Sequence, residues 1–141
     1  MLVKNENFQD VDLSQIVDDI LNDYKRESEI IITEQEAKTA LSQMVFESNL
    51  KGNQMFMQNK NYAMPIAHAE FLKIETIEYI WEKLKDNVCS KFDEQTEQDK
   101  IAEIVANAVS DLLPYKIIVK PLLKLILFYV LKFGHPVVCK M

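Results

Sequence analysis

The chain has 141 residues, 48% of them hydrophobic, with 22 acidic residues against 16 basic ones and a formal net charge of −6. That length suits one domain spanning 1–141, and two glycines and four prolines leave little material for hairpins or glycine-rich loops. An acidic chain with a single arginine, Arg26, is a poor counterion for phosphate, so nucleic acid is not an expected partner.

Charge and hydrophobicity are distributed unevenly. Residues 115–141 hold five lysines and no acid, whereas all 22 acids lie before them. Ten of the thirteen residues from Pro121 to Phe133 are Leu, Ile, Val, Phe or Tyr. A helix apolar nearly all round has to be buried in its own bundle, in a partner or in lipid. Two cysteines, Cys89 and Cys139, are too few for a secreted disulfide framework, and the N-terminus lacks the pattern of a signal peptide. A reducing cytoplasm is the expected location.

In chain order, Leu13, Ile16, Val17, Ile20, Leu21 and Tyr24 fall on one helical face, and Asp12 with Gln15 resembles a capping box. The spacing predicts a first helix over 13–26. Ile30-Ile31-Ile32 is β-branched and reads as an extended link. Thr33 and Glu36 form a second capping box that opens a helix burying Ala37, Ala40, Leu41, Met44 and Val45, with Gly52 as its end. Residues 53–64 are read as a loop or a short irregular helix.

Pro65 suits the first turn of a third helix reaching about Phe92, with Ile74, Ile77, Trp81, Leu84 and Val88 as its seam. The polar run 93–100 is a connection. A fourth helix buries Ile101, Ile104, Val105, Ala108 and Leu112, stops at Pro114, and carries a small-residue edge of Ala102, Ala106 and Ser110. Ile117-Ile118-Val119 before Pro121 is biased to an extended path. The fifth helix runs 121–133, and Gly134 ends it. The expected fold is an all-α, single compact bundle of about five helices, with the C-terminal helix at its core.

Catalytic constellations are weak. His68-Ala69-Glu70 matches the H-x-E fragment of zinc deaminases, yet the P-C-x-x-C pair that supplies the other two zinc ligands is missing. His68 just after Pro65, and His135 between Gly134 and Pro136, read as ordinary polar residues rather than haem or metal ligands. Glu75, Glu78 and Glu82 share a helix face that reads as solvated. Ser42, Ser48, Ser90 and Ser110 lack a nucleophile-elbow context. No catalytic residue, metal or cofactor is expected.

Two segments suit contact with another protein. Met55, Phe56 and Met57, with Tyr62 and Met64, place soft, adaptable side chains together. Ala102 and Ala106 permit close approach of a helix. The expected function is therefore a non-catalytic interaction module, such as an adaptor, inhibitor or regulatory subunit, whose acidic surface meets a basic protein partner. A homodimer would use the same contacts. The alternative is a membrane-associated or immunity-type protein acting through 115–141, although a span of about twenty residues would draw Lys120 or Lys124 into lipid.

Overall fold

The structure is a computed structural model that describes residues 1–27, 29–60 and 74–139, with side chains described outside 52–60 and 74–76. Five helices carry it: α1 (Leu13–Arg26), α2 (Glu34–Lys60), α3 (Ile74–Cys89), α4 (Gln98–Leu112) and α5 (Lys120–Val138). Two short strands, β1 (Leu2–Lys4) and β2 (Asp10–Asp12), precede them. The fold is the expected helical bundle with a hairpin added at its start.

The hairpin was not legible as a strand pattern, but its turn has a local cause. The Asn5 side-chain oxygen accepts from the amides of Asn7 at 2.8 Å and Gln9 at 3.0 Å, which reverses the chain. The strands pair antiparallel with Leu2 opposite Asp12, Val3 opposite Val11 and Lys4 opposite Asp10. Val3 points into the core and Leu2 outward, the alternation expected of a strand covered on one side.

Both proposed helix starts are capped, in different ways. Asp12 accepts from the Ser14 amide at 3.0 Å, so it caps α1; Gln15 does not reach back but turns to Asp19. At α2 the box is reciprocal: Glu36 N–H donates to the Thr33 hydroxyl, and Thr33 N–H donates to the Glu36 carboxylate. Gly52 does not end α2, which stays helical to Lys60. A glycine inside a helix costs only about 1 kcal/mol relative to alanine, and neighbouring turns absorb that. Of the two readings of 53–64, loop or short irregular helix, the helix is present over 53–60, as a continuation of α2, and 61–64 lie outside the described residues. The expected start of α3 at Pro65 lies outside the described residues, and its end comes at Cys89 rather than Phe92.

The core is built around α5. Leu123, Ile126, Leu127, Phe128, Tyr129, Val130 and Leu131 are all buried on it. It packs chiefly against α2 and also touches α1, α3 and α4. From α3 come Ile80, Trp81, Leu84 and Val88, and from α1 come Leu13, Val17, Ile20 and Leu21. Tyr24 meets Phe128 edge to face at 5.2 Å between ring centroids.

Residues 117–119 explain how the apolar tail enters this core. They run extended, a path their β-branched side chains favour, and all three are buried. Buried backbone must find partners, and here they come from β1 and α2. Ile118 N–H donates to Lys4 O at 2.8 Å, which joins this segment to β1. The Ser48 hydroxyl donates to Ile117 O at 2.6 Å, and Val119 N–H approaches the Met44 sulfur at 3.4 Å.

Gly134 ends the regular part of α5, as expected, with φ at 70° and ψ at −173°, a region open to glycine alone. A final helical turn follows, and it closes with Cys139 N–H donating to His135 O. Cys139 is disulfide-bonded to Cys89 at the end of α3, with their Cα atoms 5.7 Å apart. The two cysteines, too few for a disulfide framework, thus still form a single bond. Apart from the disulfide, among the described residues the turn is tied by buried Val138 and by the His135 ring edge-on to Phe92 at 5.4 Å. Ordering five residues costs roughly 5–10 kcal/mol, and burying one valine returns about 1.5–3 kcal/mol. A disulfide closing a loop of this length contributes about 4 kcal/mol, which brings the turn near balance.

Candidate interaction surface

The tail lysines define the surface by the acids they neutralise. Lys120 pairs with Asp19 at 3.2 Å, while Lys124 pairs with Glu27 at 2.8 Å and Asp23 at 3.4 Å. Lys116 pairs with Asp111 at 3.4 Å. One flank of α1 is thereby matched against α5. The Arg26 guanidinium beside Asp23, with Lys124 behind it, holds that carboxyl below its ordinary range against the opposing effect of burial. Hydrogen bonding to Glu27 and then Asp23 raises the Lys124 ammonium above its usual value.

The other flank of α1 faces α4 and lacks such compensation. Asp18 from α1, with Asp99 and Glu103 from α4, lines a groove together with buried Leu13, Val17 and Leu21 and with Met1 and Asn107. The three acids are solvent-exposed. Among the described residues Asp18 and Asp99 have no ion-pair partner, and Glu103 reaches only Lys100, at 4.0 Å. The groove encloses about 210 Å³, below the range of about 300–1,000 Å³ that drug-sized ligands occupy. It has room for one or two side chains of a partner, not for a cofactor. No three His, Cys, Asp or Glu come together as metal ligands among the described residues, so these carboxylates stand as separate charges.

The residues singled out for contact fall elsewhere. Met55, Phe56 and Met57 are on the last turns of α2, where side chains are not described, and Tyr62 and Met64 lie outside the described residues, as does His68. Ala102 and Ala106 are fully buried, as is Ser110. Their small size is used inside the bundle, so the expectation that they face a partner is corrected. The groove acids were passed over because charge on a helix surface is ordinary; only their position relative to the lysines sets them apart.

A second groove, between α2 and α5, is lined by Gln35, Glu36, Thr39, Ala40, Gln43, Leu122 and Leu125 and is more apolar. Glu78 and Glu82 are exposed, and Glu78 pairs with Lys38 at 3.0 Å, an arrangement with no acid–base geometry. Trp81 Nε1 and the Ser42 and Ser110 hydroxyls are buried without hydrogen-bond partners among the described residues, and none of them lines either groove.

Tyr129 is the one described group whose titration moves far. Burial, then the nearby Glu34 carboxylate that accepts its hydroxyl at 3.2 Å, pushes its pKa up to about 12. In the unfolded chain the phenol ionises near 10, so between pH 10 and 12 the unfolded state loses a proton that the fold retains. Stability should therefore fall across that window, by on the order of 1–2 kcal/mol once water near the hydroxyl is allowed for. Urea melts at pH 9 and pH 11.5 should show the loss, and Tyr129→Phe should remove that share of it.

No protein-family model, curated protein or solved structure matches the chain.

Proposed function

We propose that the protein is a non-catalytic interaction module that binds a basic protein partner through the acidic α1/α4 groove. The observation that carries this reading is the asymmetry of α1. Its acids toward α5 are matched by the chain's own lysines, whereas Asp18 and Asp99 have no ion-pair partner among the described residues and Glu103 has only Lys100 at 4.0 Å. Uncompensated charge of one sign steers a complementary partner and fixes its register more than it adds raw affinity. The apolar residues that line the groove with the acids suit the aliphatic stem of a lysine or arginine, which buries its methylenes while its head meets carboxylate.

The test is affinity capture from the native host, comparing the wild type with an Asp18→Lys, Asp99→Lys, Glu103→Lys variant. The wild type is expected to capture a basic protein whose binding weakens with salt, and the variant to bind it weaker by roughly tenfold or more. A variant that retains the same partner with unchanged affinity and salt dependence overturns the reading.

A second reading places the protein at a membrane, because α5 is by length and composition apolar enough to cross one. It requires the buried residues of α5 to leave the bundle. Flotation of the full chain with anionic vesicles would support it, and absence from the vesicle fraction would argue against it.

A further inference from the structure

The chain holds two cysteines, and the fold brings both to one place, joining the last residue of α3 to the cap of the C-terminal turn across 50 residues of sequence. Neither residue is fully buried. We propose that the Cys89–Cys139 bond is a redox modification site, a clasp on the C-terminal turn that a low-molecular-weight thiol such as glutathione opens.

Three features point this way. Gly134 separates the turn from the rest of α5 with a backbone conformation that breaks the helix, so movement beyond it need not disturb Ile126 to Leu131. Besides the disulfide, among the described residues the turn is tied by one buried valine and the His135–Phe92 ring contact. The large side chains of the core lie before Gly134. Breaking the bond therefore releases Val138 and uncovers Phe92 where the His135 ring meets it.

The exchange balances with two thiols. A glutathione thiolate attacks one cysteine sulfur, the disulfide breaks, and the other cysteine leaves with the electron pair as thiolate. A second glutathione thiolate attacks the glutathione sulfur of the mixed disulfide, which frees the second cysteine and forms glutathione disulfide. Both cysteine thiolates then take protons from water, because an ordinary thiol is largely protonated at neutral pH.

The test equilibrates the full chain in glutathione buffers from fully oxidised to strongly reduced. Each sample is alkylated, thiols are counted by mass spectrometry, and amide exchange is followed in parallel. Both cysteines are expected to be alkylated in buffers as reducing as a cytosol. Exchange at 135–139 should accelerate at least tenfold while Ile126–Leu131 keeps its protection. Cys139→Ser and Cys89→Ser should each reproduce the fast exchange under oxidising conditions. A bond that stays closed in the reduced buffer, a turn that stays protected once reduced, or loss of protection throughout the bundle would each overturn the proposal.

Discussion

Removing residues 115–141 is expected to leave a chain that does not fold. The deletion takes away Leu123, Ile126, Leu127, Phe128, Tyr129, Val130, Leu131 and Val138, all buried, and the three residues that lie between β1 and α2. Each large apolar side chain is worth roughly 1.5–3 kcal/mol on burial, so a few of them exceed the net stability of an ordinary domain, about 5–15 kcal/mol. The remaining 114 residues should lose most of their helical circular dichroism and elute as aggregate or expanded chain. A milder form of the same test is Leu127→Ala, which should cost about 2–5 kcal/mol in urea unfolding. A truncated protein that remains helical and monomeric would mean that α5 is not the core.

Substitution of Trp81 separates shape from hydrogen bonding. The residue is 1% exposed, lies 5.9 Å from the Tyr129 ring between centroids, and its indole N–H has no partner among the described residues. Trp81→Ala should cost about 3–5 kcal/mol, because the packed ring is replaced by a void. Trp81→Phe should cost much less than its lost volume suggests, since it also removes a buried donor whose unpaired state costs roughly 1–3 kcal/mol. Chemical denaturation of the two variants should show that gap. Equal losses would mean that the indole N–H is satisfied in solution.

What the sequence made legible was what depends on neighbours three or four residues apart. The Thr33–Glu36 box, the buried face of α1, the α3 seam from Trp81 to Val88 and the extended path before Pro121 all follow from local spacing, and all are present. Gly134 was read correctly for the same reason. The features that were missed join distant residues. Lys4 meets Ile118, Cys89 meets Cys139, and Lys120 finds Asp19 a hundred residues earlier, and no periodicity announces such pairs. Lys124 likewise meets Asp23 of α1, because a buried helix must send its lysines toward acids. The groove could not be read from sequence, because it is defined by which acids remain after those pairings are made. The Ala102–Ala106 edge failed differently: small residues mark where helices come close, without saying whether the visiting helix belongs to the same chain.

The threading of residues 117–119 between the first strand and α2 also dictates an order of events during synthesis. Until that segment and α5 leave the ribosome, the earlier helices have greasy faces and nothing to close over, so the nascent chain must wait unshielded. Productive collapse is thereby postponed until that segment has emerged. Chaperone holding becomes the natural protection for a polypeptide whose centre is made after the helices around it.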